Sequence, residues 1–200
     1  AGILLALVRI HRLPGLRQLA ALLVSYTRGT PVLVQLMLMY YVLPGFLLPF
    51  GLQGRDLPAA GFVVAAYGLY MGANISEILR GAAAAVPRGQ IEAAFSLGMS
   101  NRQVLFRIMA PQALVLAWPD FGTILLIGLK STSLAFSVGV MDMVGRGQAL
   151  GAQTMRSFEV FLALSGIYYA LTLLLESGFR LIEKFLRASA AAPEEAGHAN

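Results

Sequence analysis

The sequence predicts an all-α, polytopic membrane protein, and three observations predict it. Only 12% of its 200 residues are charged while 58% are apolar, whereas a soluble domain carries roughly 25% charged and 45–50% apolar residues. Stretches free of Asp, Glu, Lys and Arg, such as residues 29–54 and 57–76, reach the length of about 20 residues that a bilayer-spanning helix needs. The basic residues between such stretches fall unevenly on alternate sides, as the positive-inside bias of membrane proteins requires.

The opening eight residues before Arg9, "AGILLALV", are apolar but too few to span. They are expected to be the end of a spanning helix whose start precedes this sequence. Residues 29–54 form the next span, with Thr30 as N-cap, Pro31 in the first turn, and Pro44 and Pro49 kinking or ending it. Residues 57–76 form another and continue into "EILRG". Residues 108–129 hold a third long apolar run, interrupted by Asp120, and residues 160–175 a fourth, flanked by Glu159 and Glu176. With the truncated opening segment, five membrane helices are expected over residues 1–187. Residues 188–200, "ASAAAPEEAGHAN", lack apolar periodicity and are expected to be a disordered tail.

If the opening segment ends on the cytoplasmic side, cytoplasmic connections hold Arg9, Arg12, Arg17, Arg28, Arg80, Arg88, Arg102, Arg107, Arg180, Lys184 and Arg187. The opposite side holds only Arg55, Lys130, Arg146 and Arg156. That imbalance places the C-terminus in the cytoplasm. The net charge of +5 is dispersed between apolar blocks rather than gathered on one face, which argues against a nucleic-acid partner. With no cysteine there is no disulfide, thiolate metal site or cysteine nucleophile. The two histidines, His11 and His198, lie in a basic loop and a terminal tail, so no histidine metal cluster is expected.

Within this frame residues 81–111 stand out as a polar-faced cytoplasmic insertion. Pro87 can start a helix, and Ile91, Ala94, Phe95 and Gly98 recur with helical spacing on one apolar face. Gly98 suits the left-handed position just past a helix end. Ser100 to Gln103, "SNRQ", has capping-box spacing for a second helix carrying Leu105, Ile108 and Met109 until Pro111 interrupts it. Such a rigid knob could lie in the lipid interface, pack beneath its own membrane helices, or dock on a partner protein.

The knob resembles the EAA motif of ABC importer permeases, a glutamate-alanine-alanine signature followed by a glycine and an isoleucine-x-leucine-proline end. Glu92, Ala93, Ala94, Gly98, Ile108 and Pro111 match it; Ala110 stands where the motif has leucine. "YTRGTPVLVQL" (26–36), "GANISEILRG" (72–81) and "GLKSTSLAFSVGV" (128–140) resemble the polar amino acid branch of that family. Asn74 departs from a tyrosine, and Ser131 from an acid, in that branch. The resemblance implies a type I ABC importer permease-like fold in a bacterial inner membrane. It further implies a homo- or heterodimer of permease subunits, ATP-binding subunits that hold ATP and Mg, an extracytoplasmic solute-binding protein, and a polar amino acid as cargo. Glu92 to Gly98 would form the coupling surface, with Ser100 to Pro111 bracing it. The chain itself has no GxxxxGK[ST] phosphate loop, so no cofactor and no catalysis are expected of it.

Charged groups inside a span each need a reason, because insertion at the centre costs about 2.5–3.5 kcal/mol. Asp120 is readable as a pathway contact for a substrate cation or as a partnered residue closing a proline bend. Glu77 and Arg80 are expected to form a local ion pair or interface anchor. "KSTS", Lys130, Ser131, Thr132 and Ser133, offers an ammonium and three hydroxyls for an amino acid carboxylate; the alternative is a snorkelling lysine above hydroxyls that cap a broken helix. With Asn74 and Asp120 these are the candidate substrate-pathway residues. Tyr67, Tyr70, Tyr168 and Tyr169 form either a cation cage or ordinary packing, and Met37, Met39 and Met71 are core filler. Two rival functions remain at this stage: an importer permease for another small solute, and a non-transporting scaffold that recruits an ATPase.

Overall fold

The computed structural model describes residues 15–47, 49 and 58–197, and every regular element among them is a helix. Helix α1 (Leu16–Gly29) is amphipathic, burying Ala20, Val24 and Thr27 and exposing Leu16, Leu19, Leu22 and Tyr26. The chain then turns by 114° into α2, which runs from Val32–Met37 through a π-helical turn, Leu38–Val42, to Leu43–Leu47. The corner follows from Pro31, since a residue preceding proline is driven to extended backbone, and Thr30 has φ −114° and ψ 135°. Thr30 was expected to cap α2, but Pro31 occupies the N-cap position and no side chain caps it. The corner is instead clamped by Gln35, whose Nε2 donates to the carbonyls of Thr27 (2.6 Å) and Thr30 (2.9 Å).

Helix α3 (Ala59–Ala85) is a single span continuing through "EILRG". The knob follows as α4 (Arg88–Ser96) and α5 (Asn101–Val104). A π-turn, Leu105–Met109, joins α5 to α6 (Ala110–Ser131), which tightens into a 3-10 helix, Thr132–Val138. Pro111 therefore does not end its helix, contrary to expectation, and Pro44, expected to kink or end its own, does not end it. Each proline lies two residues beyond a π-turn, and the reason is shared. Proline lacks an N–H and its ring collides with the carbonyl four residues back. A turn bonded i to i+5 widens that site. The bonds are Leu43 N–H to the Leu38 carbonyl and Ala110 N–H to the Leu105 carbonyl.

Helix α7 (Met143–Thr154) is a short element that apolar runs did not announce; Asp142 Oδ1 caps it by accepting from Gly145 N at 2.8 Å. Helix α8 (Ser157–Gly197) has 41 residues, or about 60 Å at 1.5 Å per residue. Its backbone is helical as far as Gly197, within the stretch expected from sequence to be a tail.

Among the described residues three helices are long and apolar enough to cross a membrane, at Ala59–Ala85, Asn101–Val138 and Ser157–Leu186; the pair Gln18–Gly29 and Val32–Phe46, bent by 114°, counts as a fourth only if taken as one broken span rather than a re-entrant turn. The expected opening segment, and the far end of the 29–54 run, lie outside the described residues. The spans pack through small side chains, as expected where lipid removes the hydrophobic drive between helices. Ala66, Gly72, Ala73 and Ser76 of α3 and Ala113, Ala117 and Gly122 of α6 are buried. A Cβ on Gly128 would lie 2.3 Å from Met71 Cε. By contrast α8 leaves Phe158, Leu162, Tyr169 and Leu174 exposed, a surface suited to lipid.

Candidate functional site

The site has two parts, the knob and two cavities in the spans above it. In the knob, α4 ends in a full Schellman motif at Gly98, where φ is +77°. Gly98 N donates to the Phe95 carbonyl (2.9 Å) and Met99 N to the Ala94 carbonyl (3.1 Å). Two residues later the capping box closes, with Gln103 N on Ser100 Oγ (3.4 Å) and Ser100 N on Gln103 Oε1 (2.8 Å). Both devices were legible from residue types and spacing.

The apolar face of α4 is narrower than its spacing predicts. Ile91 and Ala94 turn inward, Ile91 onto a cluster of Ala82, Val86, Ala113 and Ala117. Phe95 is 45% exposed and Leu97 83%, while Glu92, Ala93 and Gly98 are also exposed. On the following turn Phe106 is 62% exposed, with the Arg102 guanidinium 6.0 Å from its ring centroid. The knob is anchored from within by Val104, which is buried, and by Gln112 Nε2 donating to Gln90 Oε1 at 2.6 Å. Ile108 is half-buried, and Pro111 stands at the start of α6.

Above the knob, Asn74 and Asp120 come together on one cavity of about 420 Å³, with Arg28, Glu77, Gly81 and Leu116 among its other walls. Asp120 is exposed there and makes no hydrogen bond or ion pair with the described residues. It does not close a proline bend, since α6 runs through Pro119 unbroken. Glu77 pairs with Arg80, Nε to Oε1 at 2.9 Å, and stands 3.8 Å from Arg28 Nη1. The local pair was foreseen, whereas Arg28, reaching across from α1, had no sequence signal beyond its charge.

Ser131 and Thr132 lie instead on a second cavity of about 330 Å³, walled by Tyr67, Tyr70, Met71, Leu129 and Phe179 among others. The hydroxyls of "KSTS" turn back on their own helix. Ser131 donates to the Ile127 carbonyl (2.8 Å), Thr132 to Leu129 (2.7 Å) and Ser133 to Lys130 (2.7 Å). Their protons are thereby committed and only lone pairs remain to offer. The Tyr67 hydroxyl donates to the Ser131 carbonyl at 2.5 Å, and the Tyr168 hydroxyl lies within reach of the Thr132 side chain. Tyr169 points away, so the four tyrosines do not form one cage. Lys130 is exposed at the end of α6. Among the described residues no group of His, Cys, Asp and Glu could hold a metal ion.

The knob, the spans and their order have counterparts in known proteins. The chain is 44% identical over 186 residues, 93% of its length and 78% of the relative's, to the L-cystine transport system permease protein TcyL of Bacillus subtilis. It is 31% identical over 170 residues, 84% and 74% of the two chains, to the glutamine transport system permease protein GlnP of Escherichia coli. The crystal structure of an amino acid ABC transporter with histidines superposes with a TM-score of 0.81 at 30% identity, over 92% of this chain and 82% of that one. The family described as binding-protein-dependent transport system inner membrane component matches residues 1–188, and the chain, a membrane-embedded transport subunit rather than an enzyme, belongs to it.

Proposed function

We propose that this chain is the permease subunit of an ATP-driven importer for polar amino acids, seated in a bacterial inner membrane with its knob and C-terminus in the cytoplasm. One observation carries the reading: a membrane protein holds a rigid, doubly capped knob whose tip presents Phe95 and Leu97 to solvent. Apolar side chains held exposed together on an ordered element outside the spans suit a docking surface. The resemblance to permeases named for cystine and glutamine transport supports both the partner and the cargo. The partner is a separate ATP-binding subunit that binds ATP and Mg, since the chain carries no phosphate loop of its own. Glu92, Ala93 and Gly98 form the coupling surface; Ala94, expected there too, is buried beneath it and with Ser100, Ile108 and Pro111 braces it. A second permease subunit and an extracytoplasmic solute-binding protein complete the transporter. The excess of arginine on the knob's side of the membrane supports the orientation. The substrate passes along the cavities that include Asn74, Asp120, Ser131 and Thr132, with Lys130 and Ser133 at the end away from the knob.

The test is co-purification of the ATP-binding subunit with the wild-type chain and with Leu97→Asp. Because Leu97 is almost wholly exposed, the substitution leaves folding and membrane insertion intact. Loss of the ATPase and of amino acid uptake is expected. Retention of both in the variant overturns the docking role.

A further inference from the structure

Helix α1 divides its circumference into three sectors, and each meets a different medium. Leu16, Leu19, Leu22, Leu23 and Tyr26 fall within about 120° of one another at 3.6 residues per turn. All five are exposed, Leu19 by 64% and Leu22 by 68%. Ala20, Val24 and Thr27 fall in a second sector about 60° wide; none is more than 7% exposed, and this side packs on α3. Ala21, Ser25 and Arg28 make the third, also about 60° wide, and line a cavity of about 380 Å³ that Glu77 lines as well. A helix with one side on protein, one on a polar cavity and one apolar and uncovered suits a boundary between lipid and water.

The placement of α1 agrees with that boundary. Helix α3 has 27 residues, or about 40 Å, against a hydrocarbon core about 30 Å thick. With its central residue, Gly72, at the midplane, Glu77 lies one and a half turns toward the knob. That is about 7–8 Å from the midplane and as far inside the core boundary. Arg28 stands 3.8 Å from Glu77, which sets the depth of the end of α1. Interfacial helices bury their apolar face by about 5–10 Å. The corner sets the direction: the chain turns by 114° between α1 and α2, 24° past a right angle. With α2 along the membrane normal, α1 therefore lies close to the membrane plane. Helix α2 turns Leu38, Tyr41 and Phe46 outward, as a lipid-facing span does, so both arms of the corner present large apolar side chains.

We propose that α1 is an interfacial helix lying along the membrane surface on the knob's side. Leu16, Leu19, Leu22 and Tyr26 sit among the acyl chains of that leaflet, and Ser25 and Arg28 turn to water. The occupant of the exposed face is phospholipid. Helix α1 thereby walls the cavity beside Glu77 off from lipid, and the leaflet holds it in place together with α3. The inference needs only a membrane-embedded chain and is independent of the cargo.

The chain contains no cysteine, so a single introduced cysteine carries a spin label without background. Leu16, Leu19, Leu22, Ser25, Tyr26 and, as a reference on α8, Leu174 are each replaced by cysteine. All six side chains are exposed, so the labels leave the packing intact. The labelled permease is assembled with unlabelled ATP-binding subunits in nanodiscs of phosphatidylethanolamine and phosphatidylglycerol. Power saturation then compares collision with oxygen, which concentrates in lipid, and with a nickel chelate, which stays in water. The oxygen-to-nickel ratio is expected to be several-fold higher at Leu19 and Leu22 than at Ser25, and highest at Leu174. Leu16 and Tyr26 are ten residues apart, so their depths should differ by about 6 Å, against about 15 Å for a helix along the normal. A difference above about 10 Å makes α1 one arm of a broken span or re-entrant turn and overturns the proposal. Labels at Leu19 and Leu22 shielded from both reagents mean that protein, the second permease subunit included, covers the stripe, and this overturns it too. So does a ratio at Leu19 and Leu22 no higher than at Ser25.

Discussion

Replacing Gly98 isolates the backbone geometry of the knob from its chemistry. At φ +77° an added Cβ would meet nothing within 4 Å, so any cost is conformational rather than steric. Holding an ordinary L-residue in that region costs about 1–2 kcal/mol, a factor of roughly 5–30 in the closed population of the corner. Asparagine visits the region readily and should cost much less. The amides that report closure are Gly98 N and Met99 N, bonded at 2.9 Å and 3.1 Å. Hydrogen exchange at Met99 should therefore accelerate about 5–30-fold in Gly98→Ala and far less in Gly98→Asn. Gly98→Asp has nearly the shape of Asn but adds a charge to the docking surface. It should keep slow exchange yet lose the ATP-binding subunit and uptake while still inserting in the membrane. Equal exchange in Ala and Asn would refute the strain argument, and equal uptake in Asn and Asp would refute the docking one.

Two further substitutions probe the packing. A Cβ on Gly145 would sit 2.3 Å from Phe136 Cδ2 and about as close to other ring atoms as Cγ at 3.0 Å; a ring yields less than a flexible chain, so Gly145→Ala should destabilise by about 1–3 kcal/mol. A lowered unfolding midpoint in detergent, partly restored by Phe136→Leu, is the expected result. Gln35→Leu leaves the carbonyls of Thr27 and Thr30 without their donor in a buried corner, at a cost of about 1–3 kcal/mol, and a midpoint unchanged from wild type would deny the clamp its role.

The knob could be read from the sequence because its rules are local. A left-handed glycine and a Ser-to-Gln capping box depend on atoms within six residues of chain. The long spans were legible for the same reason, since length and hydropathy are properties of a segment. What escaped depends on tertiary placement. Arg28 and Glu77 are 49 positions apart, and only the 114° corner brings α1 across the mouth of the cavity. Helix α7 escaped because it is held by glycines: Gly147 faces Leu164 and Gly151 faces Ser157 with no room for a side chain. Glycine carries no hydropathy signal. The outward turn of Phe95 escaped because a period of 3.6 specifies a stripe but not whether lipid, protein or water lies against each edge of it.

The placement of these parts gives the knob a mechanical relation to the cavity. Ile91 is wedged against Ala113 and Ala117, Gln90 is bonded to Gln112, and Val104 is sealed inside. The knob is thus fastened to the first turns of α6, whose own backbone continues ten residues to Asp120. Packed helices shift as units rather than bending smoothly. Helix α1 packs on α3 through Val24 and Thr27, both buried, and Arg28 pairs with Glu77 of α3 across the same seam. A force applied at Leu97 is therefore expected to move the first turns of α6, and Asp120 with them, as one piece.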